Sequence, residues 1–297
     1  MSHNDSPVQD SLGRASSWTP SVREQERTAL RKALARKRSL TAGASSIAVI
    51  GTLIALVVTS PGWKDVQTTF FDVHYGLSVL HLVARGLLTN LALTSISVVS
   101  IAVIALGLAL ARTSRSAALT PFRILATVYV DLFRGVPLLL VILLVGFGVP
   151  ALRLHGLTTS VFVLGTSAVI IVYSAYVAEV LRSGILAVHP SQRAAARSLG
   201  LTSSQTLRHV VLPQAFRNVV PPLLNDLVAL MKDSGLVSIL GVIDAVRAGQ
   251  IEASRTFNYT PYVVAAILFL LITIPLTRYT DRVLQRSINK QNAQGSA

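Results

Sequence analysis

Three ionisable side chains lie inside one apolar stretch of the sequence, where charge is costly. The stretch 219–242 contains the segment NDLVALMKDSG, which holds Asp226, Lys232 and Asp233. If the stretch is a helix in hydrocarbon, each charge costs about 2.5 to 3.5 kcal/mol near the bilayer centre, so the three side chains do not face lipid. They either pair inside a helix bundle or line a water-filled cavity, and the sequence leaves both options open.

Polar residues also end the preceding apolar stretch. Tyr173, Tyr176, Glu179 and Arg182 follow one another at a spacing of three, which places them along one side of a helix. Interfacial aromatic residues with a local ion pair are one interpretation, and the lining of a polar substrate path is the other. The candidates for such a path are Tyr173, Tyr176, Asn225, Asp226, Lys232, Asp233 and Ser234.

The composition indicates a membrane protein. The chain is 52% hydrophobic and 13% charged, whereas soluble domains are about 45 to 50% apolar and about 25% charged. Six stretches have approximately the length that one span needs: 40–60, 86–111, 124–150, 161–181, 219–242 and 262–276. Only helices or closed barrels span lipid, and these runs are too long for barrel strands. We predict an all-α, polytopic fold with about six transmembrane helices.

The sequence offers no set of residues for catalysis. It lacks cysteine, which excludes disulfides, cysteine-ligated zinc and thiol nucleophiles. It also lacks HExxH, GxSxG and clustered histidines or carboxylates, so we predict no catalytic residue, no metal site and no cofactor in this chain. The phosphate-binding motif GxxxxGK[ST] is missing as well.

Topology explains the net charge of +14 better than nucleic-acid binding does. If the N-terminus is cytoplasmic, twenty of the 27 Lys and Arg residues fall in inner segments and five in outer ones. The positive-inside rule requires such a bias over short loops. We therefore predict that both termini are cytoplasmic and that the chain binds no nucleic acid. Because the first apolar stretch begins about 40 residues into the chain, we interpret it as a retained anchor.

The third apolar stretch contains the segment DLFRGVP. Asp131 and Arg134 are three residues apart, which predicts a local ion pair on one helix face. Gly135 and Pro137 follow directly and permit a bend or a close helix contact within the membrane.

The segment 189–216 reads HPSQRAAARSLGLTSSQTLRHVVLPQAF and is polar inside an otherwise apolar chain. Pro190 suits a first helical turn, Gly200 suits a C-terminal cap, and TSSQ suits a capping box. These signals predict two short helices, with the second ending before Pro213 and Leu201 projecting from the turn. A DNA-binding helix-turn-helix has a similar pattern. Since membrane spans flank this pair closely, we interpret it as a docking surface for a cytoplasmic partner.

The same segment resembles the EAA loop in the inner-membrane subunits of binding-protein-dependent ABC transporters. The triplet AAA begins at Ala194, Gly200 follows after three residues, and VVLP follows after nine more, which matches the spacing of the family pattern. Ala194 stands where the family usually has Glu. The resemblance implies that the residues coupled to an ATPase are Arg193, Ala194, Ala195, Ala196, Gly200, Leu201 and Pro213.

Further segments resemble the polar amino acid branch of that family: FRGVPLL at 133–139, YVAEVLRSG at 176–184, KDS at 232–234 and SILGV at 238–242. The resemblance implies five core helices, to which the anchor adds one. The expected layout is a cytoplasmic basic tail 1–39, an anchor helix 40–60, an external loop 61–85, a transmembrane domain 86–284 with the coupling loop 189–216, and a cytoplasmic tail 285–297.

The resemblance implies a permease subunit of an importer for a polar amino acid or related amine, in a bacterial cytoplasmic (inner) membrane. The implied partners are an ATPase subunit dimer that binds ATP and Mg, a second permease subunit, an extracytoplasmic substrate-binding protein and membrane lipid. Two alternatives are an ion-coupled secondary carrier that uses the charges of 219–242, and a membrane-anchored DNA-binding regulator that uses 189–216.

Overall fold

The computed structural model describes residues 21–114 and 116–295. Residues 1–20 of the predicted tail 1–39 and residues 296–297 of the predicted tail 285–297 lie outside this part. The described residues are helical and contain no strand. The helices are α1 Val22–Val58, α2 Trp63–Phe70, α3 Val73–Thr113, α4 Thr120–Gly135, α5 Leu138–Leu143, α6 Val149–Ala151, α7 Val161–Leu186, α8 Pro190–Ser198, α9 Ser203–Thr206, α10 Leu212–Asp233, α11 Ala245–Thr256 and α12 Thr260–Gly295.

The chain divides into two compact units, Met1–Lys64 and Asp65–Ala297. In the first unit, α1 is one continuous helix that includes both the polar segment before residue 40 and the predicted anchor. Ser21 caps its start, because the Ser21 hydroxyl accepts a hydrogen bond from the Glu24 backbone N–H at 3.3 Å. The anchor therefore has no break at its predicted boundary at residue 40.

In the second unit, α3 is the longest helix, and it begins earlier than the predicted span 86–111. Asp72 caps it by accepting a hydrogen bond from the Tyr75 N–H at 3.0 Å. The predicted external loop 61–85 thus contains α2 and the first turns of α3. The start of α3 is tied to α12, since the Asp72 N–H donates to the Thr260 hydroxyl at 3.1 Å.

Fewer helices than predicted are long and apolar enough to span a membrane. Within the described residues they are Val22–Val58, Trp63–Thr113, Val161–Leu186 and Thr260–Gln285, and a bent pair, Ala117–Gly135 with Leu138–Ala151, makes a fifth if it counts as one span. The predicted count of six is not confirmed. The stretch 219–242 is the missing one: α10 stops at Asp233, a 3₁₀ segment, Ser234–Leu240, follows it, and neither is among the candidate spans.

The bend in the third stretch lies at the predicted position. The axes of the two halves differ by 106°, and Val136 between them has the extended backbone that a residue before proline prefers. Pro137 lacks an N–H and cannot continue the hydrogen-bond ladder of α4, so a new helix starts after it.

Glycines let the 3₁₀ segment Ser234–Leu240 pack deep in the helix bundle. A Cβ atom at Gly165 of α7 would lie 2.2 Å from Val237 Cγ1, and one at Gly146 would lie 2.3 Å from Leu240 Cδ2. Both distances are far below van der Waals contact. The segment is therefore held between α7 and the π-helical turn that follows α5, next to the polar end of α10.

Candidate functional site

The first helix of the pair 189–216 ends as predicted. Pro190 occupies the first turn of α8, and Gly200 has a left-handed backbone with φ of 85°. The Gly200 N–H donates to the Arg197 carbonyl at 3.0 Å, and the Leu201 N–H donates to the Ala196 carbonyl at 3.2 Å. These two bonds form a Schellman motif, which closes the C-terminus of α8.

The second helix begins as predicted but does not end before Pro213. Thr202 and Gln205 form the capping box: the Gln205 N–H donates to Thr202 Oγ1 at 3.3 Å, and the Thr202 N–H donates to Gln205 Oε1 at 2.8 Å. A π-helical turn then joins α9 to α10. In this wider turn the Leu212 N–H reaches back to the Leu207 carbonyl, and Pro213 falls in the first turn of α10, where its missing N–H is harmless.

The coupling residues predicted from the resemblance differ in exposure. Ala194, Ala195 and Pro213 are exposed, whereas Ala196 is buried against the body of the protein. Leu201, which is predicted to project from the turn, is half-buried, and its N–H donates to the Ala196 carbonyl. Leu199, two residues before it, is more exposed, with 84% of its surface accessible.

Arg193 connects this helix pair to the membrane-spanning part. Its Nη2 donates to the carbonyl of Ile185, near the end of α7, at 2.7 Å. Because α8 follows α7 after only a short turn, this bond restricts how far α8 can move independently of α7.

A cluster of arginines surrounds Glu179 on α7. Glu179 accepts hydrogen bonds from Arg112 Nη1 at 2.6 Å and from Arg182 Nε at 3.0 Å, and Arg134 Nη1 lies 3.9 Å from its Oε2. The predicted ion pair between Asp131 and Arg134 is not found among the described residues. Arg134 instead approaches Glu179, whose largely buried carboxylate is less screened by water than that of the exposed Asp131.

The structure brings some of the predicted path residues together. The Tyr173 hydroxyl donates to Asp233 Oδ2 at 2.7 Å, which joins α7 to the end of α10. The ring of Tyr176 lies edge-on to that of Tyr173, with centroids 5.9 Å apart. Tyr176 and Asp226 line one cavity of about 410 Å³, together with Arg134, Glu179, Val180, Ser183, Gly184, Ala187, Asn218 and Pro222. We call this the Glu179 cavity.

Asp226 differs from the other acids because Oδ2 of its carboxylate is buried and has no hydrogen-bond partner in the described part of the chain. It also borders an apolar groove of about 460 Å³ between α3, α7 and α10. Asn225, its neighbour, is exposed and lines neither cavity.

Lys232 points to a second cavity, of about 680 Å³, which we call the Lys232 cavity. Its lining residues are Leu139, Lys232, Gly235, Leu236, Ser238, Ile239, Val246, Arg247, Gln250, Tyr262 and Phe269. Arg247 Nη1 donates to Gln250 Oε1 at 2.7 Å across one face of this cavity. The sequence left open whether these side chains pair inside the bundle or line a cavity. In the structure, Asp233 forms a hydrogen bond within the bundle, and Lys232 lines a cavity.

Ser234 lies in neither cavity, because it belongs to a buried polar network. Asn90 on α3 donates from Nδ2 to Ser234 Oγ at 3.0 Å and to Asp244 Oδ2 at 3.1 Å, and its Oδ1 accepts from the Ala245 N–H at 3.0 Å. Asp244 also caps α11 by accepting from the Arg247 N–H at 2.8 Å. All three polar side chains of the network are buried.

Asp244 lies in the connection before α11, outside the candidate spans. Burial raises the pKa of its carboxyl group, and the hydrogen bonds from the Arg247 backbone and the Asn90 amide oppose that rise. Sequence reasoning missed both Asn90 and Asp244. The available signal was a lone asparagine within the apolar stretch 86–111, since an amide in a membrane helix needs a partner.

Long apolar helices beside cavities that polar and charged side chains help to line, with a capped and exposed helix pair at one end, are typical of a membrane transport protein. The chain matches the family model described as binding-protein-dependent transport system inner membrane component over residues 103–289. It belongs to this family and is a permease subunit. Membership of the family does not favour the secondary carrier or the DNA-binding regulator.

Known proteins of similar sequence agree with this assignment. The chain is 37% identical over 188 residues to the probable glutamine ABC transporter permease protein GlnM of Bacillus subtilis (strain 168), covering 61% of this chain and 84% of that protein. It is 32% identical over 173 residues to the arginine transport system permease protein ArtQ of the same organism, covering 58% of this chain and 78% of that protein. A crystal structure of an amino acid ABC transporter with histidines matches with a TM-score of 0.67 at 34% identity, covering 72% of this chain and 98% of that one.

Proposed function

We propose that this permease subunit forms the membrane path for an α-amino acid in an importer that a separate ATPase drives. The relatives named above carry the names of glutamine and arginine, whose side chains differ in charge. The chemistry that these two amino acids share is the α-carboxylate and the α-ammonium group. Substrate recognition in this path therefore rests on groups that bind these two charges.

The observation that carries the proposal is the exposed turn of the helix pair. Leu199 is 84% exposed at the tip of a turn that two backbone hydrogen bonds hold in one conformation. An apolar side chain so exposed on a well-ordered turn suits a cleft on another protein. In this proposal the turn docks on the ATPase, which binds ATP and Mg, and Arg193 transmits movement of α8 to the end of α7.

The path itself is proposed to run between the Glu179 cavity and the Lys232 cavity. Tyr173, Tyr176, Asp226 and Asp233 present hydroxyl groups and carboxylates, which suit the α-ammonium group. Both cavities are open on the surface of the single chain, which supports a second permease subunit that completes the path. An extracytoplasmic binding protein would deliver the substrate at the end opposite α8.

The proposed location is a bacterial cytoplasmic (inner) membrane, with both termini and α8 in the cytoplasm. The arginines near the ends of α3, α4 and α7 support this orientation, because Arg112, Arg123 and Arg182 all lie at the end of the bundle that carries α8.

Copurification tests the proposal. The tagged chain is expressed with its ATPase subunit and purified in mild detergent, and the ATPase retained per permease is measured. Wild type is expected to retain the ATPase, and Leu199→Asp is expected to lose most of it, since a charge replaces the exposed apolar tip. Leu154→Asp is the control, because Leu154 is exposed in the loop at the other end. Equal retention by Leu199→Asp and wild type would remove the docking role of the turn.

A further inference from the structure

We infer that the Lys232 cavity is the binding site for the α-carboxylate of the transported amino acid, with Lys232 and Arg247 as its two cations. This inference rests on the proposed function and names the groups that recognise one part of the substrate. Arg247 was not a candidate from the sequence, and α11 brings it to the same cavity as the end of α10.

The charges around this cavity are unbalanced. Its lining residues include two cations, Lys232 and Arg247, and no acid. The other polar side chains of the lining, Ser238, Gln250 and Tyr262, contribute two hydroxyl groups and an amide. A cavity with two positive charges and apolar walls attracts an anion, because the low dielectric of the walls strengthens the attraction.

The neighbouring acids are engaged elsewhere. Asp233 follows Lys232 in the chain, but its carboxylate accepts the hydrogen bond of Tyr173 in the direction of α7. Asp244 is buried with Asn90 and caps α11. Glu252, one turn and a half beyond Arg247, forms its ion pair with Arg255 at 3.2 Å. Neither Lys232 nor Arg247 forms an ion pair with any described residue.

The geometry suits a carboxylate. Arg247 is half-buried and its guanidinium group is held by the hydrogen bond to Gln250, so its remaining donors have a restricted direction. A guanidinium group and a lysine ammonium group that line the same cavity can both bind a carboxylate through charge-assisted hydrogen bonds. The cavity volume of about 680 Å³ exceeds what one amino acid needs, and lies within the usual range of ligand pockets of about 300 to 1,000 Å³.

The site also gives a role to a lysine that lies in the otherwise apolar stretch 219–242. Lys232 lies next to the 3₁₀ segment, which lines the same cavity through Gly235, Ser238 and Ile239. Lys232 itself is exposed on the surface of the single chain, where this cavity opens. A cation that lines a water-filled cavity avoids the cost of facing hydrocarbon and is accessible to a passing substrate.

Direct binding to the purified permease–ATPase assembly, without the binding protein, tests the inference. The probes are arginine and agmatine, which differ by the carboxylate, and glutamine with its decarboxylated amine as a second pair. Affinities are measured by equilibrium dialysis with radiolabelled probes. Wild type is expected to prefer the carboxylate-bearing member of at least one pair by about tenfold or more, as charge-assisted hydrogen bonds imply.

Lys232→Gln and Arg247→Gln are each expected to reduce that preference toward one, and Lys232→Arg is expected to retain most of it. Arg255→Gln is the control, since Arg255 lies on the same helix but outside the cavity. An unchanged preference in both glutamine variants would overturn the inference. A loss of subunit assembly in Lys232→Gln with the preference intact would also overturn the inference. The counter-charge of Lys232 would then be a carboxylate of the protein and not that of the substrate.

The proposed function and this inference fail in different ways. If the chain is not an amino acid permease, the wild-type assembly binds neither member of either pair. If only the carboxylate site is wrong, wild type binds amino acids and the variants discriminate as wild type does.

Discussion

Replacing Gly200 by valine tests the role of the turn through backbone strain alone. The φ of Gly200 is 85°, in the left-handed region, and a Cβ atom placed there meets nothing within 4 Å. A side chain at this position therefore creates no collision with the rest of the protein. The whole effect comes from the conformation that the residue must adopt.

The magnitude follows from this strain and from the bonds that oppose it. Holding a β-branched residue in the left-handed region costs about 1 to 3 kcal/mol. The Schellman bonds from the Gly200 and Leu201 N–H groups are worth about 0.5 to 1.5 kcal/mol each. The cost of the strain is therefore similar to the combined free energy of the two hydrogen bonds. We expect the turn of Gly200→Val to lose its fixed conformation in a large fraction of molecules. Gly200→Ala, with no β-branch, is expected to be milder.

The assay is ATP hydrolysis stimulated by the substrate-loaded binding protein, measured together with ATPase copurification. Gly200→Val is expected to lower both several-fold while the chain still inserts into the membrane, since the turn lies outside the spans. Gly156→Val is a matched control, because Gly156 has a φ of 90° and equally free space in the loop before α7. Full stimulated turnover in Gly200→Val, or an equal loss in Gly156→Val, would refute the coupling role of the turn.

Three further predictions concern packing, the buried acid and topology. Gly86→Ala is expected to lower the thermal unfolding midpoint in detergent strongly, because its Cβ would lie 2.5 Å from the backbone of Asp244, which caps α11. Gly107→Ala is the control and is expected to leave the midpoint unchanged, since no atom lies within 4 Å of its Cβ. Tyr173→Phe removes the 2.7 Å hydrogen bond to a carboxylate and should destabilise the chain by about 1.5 to 3 kcal/mol, which denaturant titration measures. A single thiol at Ser203 should react only with reagent inside the cell and one at Thr158 only with reagent outside, and the reverse pattern would overturn the orientation.

The parts of the fold that the sequence predicted are set by chemistry local to the chain. The capping box of α9, the left-handed glycine at 200 and the bend before Pro137 each depend on residues within one or two helical turns. The all-α polytopic class follows from the length and polarity of whole segments, and it too needs no knowledge of tertiary contacts.

The parts that the sequence missed depend on residues far apart in the chain. Spacing along the chain predicts an ion pair between Arg134 and Asp131, yet Arg134 approaches Glu179 on another helix. Asn90 and Asp244 are 154 residues apart, and nothing near either one reveals the other. Hydropathy also marked 219–242 as one span, although its end becomes a 3₁₀ segment that fits between glycines of other elements.

Uptake into proteoliposomes tests the central claim most directly. The chain is reconstituted with its ATPase, the binding protein is added outside, and accumulation of labelled glutamine or arginine is followed with ATP enclosed in the vesicles. We expect accumulation that requires ATP, the ATPase and the binding protein together. Accumulation by the chain alone, driven by a proton or sodium gradient, would contradict the account and indicate a secondary carrier.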